Sequence, residues 1–186
     1  MRPWFIGTGR LPRPVVEASA VIGVVLRFFH IMFGIAWIGA VMYGVGVVRR
    51  ALGKMDPAAR KETMKRLLPV VERYLPGSAV MTIIFGAALY LYLGSFDPAI
   101  LVGSGWGIVL LTALVLALFA FAVGMIFGIG SAKKVLAHLN EEACTHGPEV
   151  AALQKTFNTT QFLNLGLGFA IVVLMVIATE HELLGL

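Results

Sequence analysis

Four long stretches of this sequence contain no aspartate, glutamate, lysine or arginine, and each is long enough to cross a lipid bilayer. They lie between Arg27 and Arg49, between Arg73 and Asp97, between Asp97 and Lys133, and between Lys155 and Glu180. A helix needs about 20 mainly apolar residues to cross the hydrocarbon core. Only 13% of the residues are charged, whereas soluble domains have about 25%. The sequence therefore predicts an integral membrane protein.

The order of these stretches predicts the architecture. We expect an all-α membrane protein with a single domain over residues 1–186, in which four transmembrane helices form an antiparallel bundle. The spans are expected at about 20–48, 76–96, 104–132 and 156–179. Small residues at helical spacing favour close helix packing. They are Ala113, Ala117, Ala120, Gly124 and Gly128 on the third span, and Gly166 and Ala170 on the fourth.

A short amphipathic helix is predicted between the first two spans. Asp56 suits an N-cap and Pro57 suits the first helical turn. Apolar residues follow at helical spacing, namely Met64, Leu68, Val71 and Leu75. Residues 56–74 are therefore expected to form an interfacial helix that lies on the membrane surface and is kinked near Pro69.

Cysteine content and charge exclude other classes of protein. Cys144 is the only cysteine, which excludes a disulfide within the chain, and the absence of a Cys-x-x-Cys-His motif excludes covalent haem attachment. The net charge of +5 comes mainly from lysines and arginines that flank the spans. That placement favours contact with the lipid bilayer and its headgroups over binding to nucleic acid.

His30 is the residue that most suggests chemistry, because it lies inside the first span. At helical spacing it shares one face with Gly34, Trp37, Val41 and Gly44. Ionisable groups within a span usually face the bundle interior, where they have a partner or a ligand. Two interpretations stay open: a hydrogen bond to a neighbouring helix, or a neutral imidazole that binds a metal or haem iron.

Arg27 favours the ligand interpretation. It precedes His30 by three residues, one turn nearer the membrane surface. Its side chain either extends to the lipid headgroups or pairs with a haem propionate, since a guanidinium matches a carboxylate in two-pronged geometry. His181, expected at the same surface, is either an exposed tail residue or a second axial ligand. Met175 is a weaker alternative as second ligand, and a five-coordinate haem with an open face is the third. We predict non-covalent haem b bound by His30, with Arg27, Gly34, Trp37 and His181 as further haem-binding residues.

The first span also carries a family resemblance. RFFHIMFGIAWIG (27–39) resembles the first helix of the haem-dependent (HemJ-type) protoporphyrinogen oxidases, the CopD-type copper-resistance membrane proteins and the membrane domain of bacterial urate oxidases. PGSAVMTIIFG (76–86) and the Gly105-Trp106 start of the third helix are similar to the oxidases. The resemblance runs weakly over all four spans and implies a haem ligand at His30. Where the oxidases have a lysine, four residues beyond the tryptophan, this chain has Leu110.

Three functions are compatible with these observations. The preferred one is a b-type haem protein that passes electrons between a quinone or periplasmic donor and a redox partner in the cytoplasmic (inner) membrane. The second is an enzyme of the protoporphyrinogen oxidase kind, which Leu110 disfavours. The third is a non-catalytic subunit that packs through its glycine faces, in a homo-oligomer or in a larger respiratory or transport complex.

The distribution of basic residues predicts the orientation. Eleven of the 15 lysines and arginines lie in the first and third loops, and the other four precede the first span or open it. The positive-inside rule then places the loop at 49–73 in the cytoplasm and both termini outside. A reporter that is active only outside the cytoplasm should work when fused after Leu186 and fail when fused after Gly53. The reverse pattern would invert the topology.

Overall fold

The computed structural model describes the backbone of residues 13–141 and 147–180, and the side chains of residues 19–141 and 147–180. Helices follow one another through this part of the chain, and it contains no strand. In chain order they are Arg13–Tyr43, Gly44–Val48, Arg49–Gly53, Pro57–Leu93, Pro98–Gly103, Gly105–Val123, Gly124–Ile129, Gly130–Asn140 and Gly147–Thr179. Gly44–Val48 and Gly124–Ile129 are π-helical turns that continue directly into the α-helices on either side.

Four helical segments are long and apolar enough to cross a membrane. We call them spans 1 to 4, and they run Ser19–Gly53, Pro57–Leu93, Gly105–Asn140 and Gly147–Thr179. The predicted all-α four-helix bundle of a multi-pass membrane protein is therefore confirmed. Span 1 packs most extensively against span 2, and span 3 against span 4. Of the four interfaces between neighbouring spans, the seam between spans 1 and 4 is the most loosely packed.

Residues 56–74 do not form a separate interfacial helix. Asp56 caps the helix as predicted, since its Oδ1 accepts hydrogen bonds from the backbone of Ala58 and Ala59. That helix is span 2 itself, which continues through Pro69 and Pro76 to Leu93. The apolar face expected to meet lipid instead packs against the end of span 3, in a buried cluster of Met64, Leu68, Ala132 and Val135. The apolar face of this segment is therefore buried against span 3 and not at the membrane surface.

Small residues on span 3 allow close helix packing, as predicted. Ala113, Ala117, Ala120 and Gly128 are buried, and a Cβ atom on Gly128 would lie 3.3 Å from Cγ2 of Thr160. On span 4 the prediction is wrong, because Gly166 and Ala170 are exposed. Gly168 makes the close contact in their place, where a Cβ would lie 3.4 Å from Cγ1 of Ile38 on span 1.

Candidate functional site

His30 lies at the junction of spans 1 and 2, where its ring is half-buried. Its Nδ1 atom is 2.9 Å from the backbone oxygen of Thr82. A carbonyl oxygen can only accept a hydrogen bond, so Nδ1 donates and carries the proton. In the neutral ring the Nε2 atom then holds the free lone pair. The hydrogen bond expected under the first interpretation is present, and it leaves the second nitrogen available.

The His30 ring fits against span 2 because a glycine faces it. A Cβ atom on Gly86 would lie 2.7 Å from Cε1 and 2.8 Å from Nδ1 of His30, closer than a Cβ contact tolerates. The hydroxyl of Thr82 donates to the backbone oxygen of Ser78 at 2.7 Å. It therefore does not disturb the hydrogen bond between His30 and the backbone oxygen of Thr82. The position of the imidazole is therefore determined by the hydrogen bond to the backbone oxygen of Thr82 and by the absence of a side chain at Gly86.

The two flanks of His30 differ. Three phenylalanines from spans 1 and 2 stack beside it, with ring centroids 5.1 Å apart for Phe29 and Phe85 and 5.8 Å apart for Phe33 and Phe85. At about 100° per residue, Arg27 and Gly34 fall on the opposite flank of the helix. Arg27 is exposed there. One flank of the histidine is thus an aromatic wall, and the other carries a cation and a residue without a side chain.

The structure brings together some of the predicted site residues. Gly34 contacts the second helix beside His30, where a Cβ would lie 3.8 Å from Cγ2 of Thr82. Trp37 is buried among Val41, Ala79 and Ala120. His30, Gly34 and Trp37 therefore share one face that packs against span 2, whereas Arg27 stays at the surface. His181 lies outside the described residues.

A small cavity that the sequence did not predict lies beside Trp37. Its volume is about 30 Å³, the share of one water molecule in the liquid. Polar side chains reach it from span 4, namely Thr160, Gln161 and Asn164, and Trp37 forms part of its wall. The signal was the run NTTQFLN (158–164) at the start of the last apolar stretch, since polar groups inside a span usually face the bundle interior.

Close packing forms one side of this cavity. A Cβ on Gly124, in the second π-helical turn, would lie 2.7 Å from Nδ2 of Asn164. Oδ1 of Asn164 and Oε1 of Glu72 are buried without a hydrogen-bond partner among the described residues. Glu72 lies one turn before Pro76, which lines the cavity. The interior of the bundle thus contains more polar groups than the histidine alone.

The chemistry available at His30 is that of a single neutral nitrogen ligand. The described residues contain no group of three or more His, Cys, Asp or Glu side chains that could hold a metal ion. Haem iron has four ligands in its own porphyrin and takes one or two more from the protein. A histidine whose Nδ1 is hydrogen-bonded can supply one Nε2 ligand to a metal whose other ligands come from elsewhere.

The chain matches no protein-family model, no curated protein and no solved structure at a significant level.

Replacing Gly86 by alanine tests the contact with His30. The added Cβ overlaps the ring, so Gly86→Ala should displace the imidazole and break the bond to Thr82. The matched control is Gly77→Ala on the same helix, where nothing lies within 4 Å of the added atom. Both changes gain the same helix propensity, and overpacking should make Gly86→Ala less stable than the control by about 1–3 kcal/mol.

Thermal unfolding in detergent measures that difference in stability, and ¹⁵N NMR of labelled histidine reports the protonated Nδ1 of His30. Equal stability of the two variants, together with an unchanged Nδ1 signal, would contradict the contact.

Proposed function

We propose that this chain is a membrane protein that binds haem b non-covalently through Nε2 of His30 and works in electron transfer. The observation that supports this most directly is the hydrogen bond from Nδ1 of His30 to the backbone oxygen of Thr82. Histidines that bind a metal through one nitrogen almost always donate the other N–H to a carbonyl, carboxylate or water. Such a bond selects the tautomer and orients the ring.

The surroundings of His30 are consistent with haem. Phe29, Phe33 and Phe85 offer apolar aromatic surface next to the ligand, and a porphyrin is largely apolar. Arg27 supplies an exposed cation one turn closer to the end of the span, where a propionate could reach both the guanidinium and water. Gly34 adds no side chain on the flank that carries Arg27. The residues present therefore fit the group.

Bound haem b supplies one-electron transfer, for which the donor and acceptor classes we propose are a quinone and a redox partner protein. His30 contributes the axial ligand, and the bilayer and the phenylalanines exclude water from it. His181, which follows the end of span 4, is our candidate for a second ligand, since antiparallel packing puts that end beside the start of span 1. We place the basic end of the bundle in the cytoplasm and His30 in the outer half of the inner membrane.

The same hydrogen bond is compatible with a second candidate function. If His30 only joins spans 1 and 2 of this chain, its Nε2 needs no ligand, and we propose instead a non-catalytic subunit of a homo-oligomer or larger membrane complex. Hydrogen bonds between helices within membranes contribute about 0.6 kcal/mol on average. The two candidates therefore differ in what Nε2 does, because both use Nδ1 in the same way.

Two substitutions of His30 separate the candidates. The side-chain amide nitrogen of asparagine occupies roughly the position of Nδ1, so His30→Asn should keep the bond to Thr82 while removing Nε2. We expect it to unfold within about 0.5 kcal/mol of the wild type and to lose haem. His30→Ala should lose haem as well as the bond. The measurements are the Soret band and the reduced-minus-oxidised spectrum of protein produced with haem available.

Wild-type protein without a Soret band would leave only the packing role for His30. Full haem content in His30→Asn would show that another residue binds the iron.

Arg27 has a separate test. If it pairs with a propionate, Arg27→Gln removes a positive charge that favours the reduced, more negative haem. The midpoint potential should then fall, and haem binding should weaken by about 1.5–3 kcal/mol, the range for a hydrogen bond to a charged group. Arg73→Gln, which removes an exposed arginine from span 2, is the control. Redox titration at matched haem loading decides, and an unchanged or higher potential in Arg27→Gln would refute the pairing.

A further inference from the structure

An open cavity of about 400 Å³ lies at the basic end of the bundle, in the loose seam between spans 1 and 4. It is distinct from the His30 junction, which belongs to the opposite end of span 1. Its lining combines two cations with amide and hydroxyl groups and one aromatic ring. The residues that form it are Arg49, Lys155, Gln154, Asn158, Thr159 and Phe162.

The charge of this cavity is of one sign. Arg49 and Lys155 are its ionised residues, and no aspartate or glutamate lines it. Gln154, Asn158 and Thr159 add side-chain groups that can donate hydrogen bonds. Two cations with several neutral donors are suited to the oxygens of a phosphate group.

Arg49 is held in a geometry that suits phosphate. Its guanidinium carbon lies 5.0 Å from the centroid of the Phe162 ring, within the range of a cation–π contact. A cation–π contact uses the charge of the guanidinium and none of its N–H groups as hydrogen-bond donors to an oxygen, so those groups can still bind a phosphate. The ring therefore positions the cation without neutralising it.

The position along the spans corresponds to the level of lipid headgroups. Arg49 follows the first apolar stretch directly, and Lys155 precedes the last one directly. From the cavity, an exposed apolar track continues along span 4 toward the bilayer centre. Phe162 is 49% exposed and Phe169 53% exposed, and between them Gly166 has no atom within 4 Å of where a Cβ would be. The track is exposed and apolar, and no side chain protrudes from it at Gly166, so an acyl chain can lie along it.

We propose that this cavity binds the phosphate of an anionic phospholipid, with an acyl chain lying along the track from Phe162 to Phe169. Soluble phosphate would use the cations and donors but not the track. A zwitterionic lipid would bring its own cation next to Arg49 and Lys155, which disfavours it. The ligand class is thus defined by the charge of the cavity and by the apolar surface that continues from it.

Native mass spectrometry of the delipidated full-length protein in detergent tests this site. The probes are phosphatidylglycerol, phosphatidylcholine and glycerol phosphate. Wild-type protein should bind one phosphatidylglycerol more tightly than phosphatidylcholine, and glycerol phosphate should bind more weakly than either. Each basic residue near a membrane surface contributes about 1 kcal/mol to anionic lipid binding. The double variant Arg49→Gln with Lys155→Gln should therefore bind phosphatidylglycerol roughly 30-fold more weakly.

The control is the double variant Arg60→Gln with Lys134→Gln, which removes two exposed cations from the same end of the bundle, away from the cavity. It should stay within about twofold of the wild type. If the first double variant does not fold, judged by circular dichroism, the single variants replace it, each with a loss of about fivefold. The proposal is overturned by equal losses in control and test variants, by no preference for phosphatidylglycerol, or by glycerol phosphate binding as tightly as the lipid.

Discussion

Hydrocarbon offers no hydrogen-bond partner, so a polar group inside the bilayer is stable only with a partner in the protein or in bound water. The helical backbone meets this demand for its own amides and carbonyls, and the hydroxyls on the spans follow the same rule. Ser78, Thr82 and Thr112 each donate to the carbonyl four residues earlier, at 2.9, 2.7 and 2.8 Å. Side chains that satisfy themselves locally leave each span free to pack by shape alone.

Shape then decides how close two spans can come. Glycines on span 3 let spans 3 and 4 approach until Gly124 meets the amide of Asn164, and Gly86 lets a histidine ring lie against the backbone of span 2. Two hydrogen bonds between elements lie where a glycine allows such close approach. His30 reaches Thr82, and Tyr90 reaches the backbone oxygen of Leu101 in the short helix Pro98–Gly103 at 2.5 Å. Both hydrogen bonds form where a glycine, which has no side chain, allows the two elements to come close.

The result is a bundle with different chemistry at its two ends. His30 and its phenylalanine wall belong to the end that carries few basic residues. Trp37, on the same face as His30, leads to the small polar cavity lined by Asn164, which lies deeper along the spans. At the basic end, Arg49 and Lys155 border the open cavity between spans 1 and 4. The proposed haem site and the proposed lipid site can therefore be altered separately.

The sequence by itself determined the number of spans, the cap at Asp56, the approximate start of span 3 and the face shared by His30, Gly34 and Trp37. These follow from the thickness of hydrocarbon, from local hydrogen bonding and from the 3.6-residue period, all of which act along one chain segment. Only the tertiary structure decided what each face meets. The apolar stripe of Met64 and Leu68 could have packed against lipid as well as against span 3. Gly168, and not Gly166, makes the close helix contact on span 4. In both cases the spacing of small or apolar residues defines a face of the helix but does not specify what that face contacts. For the same reason Asn164, Thr160 and Gly124 became one cavity only when spans 3 and 4 came together.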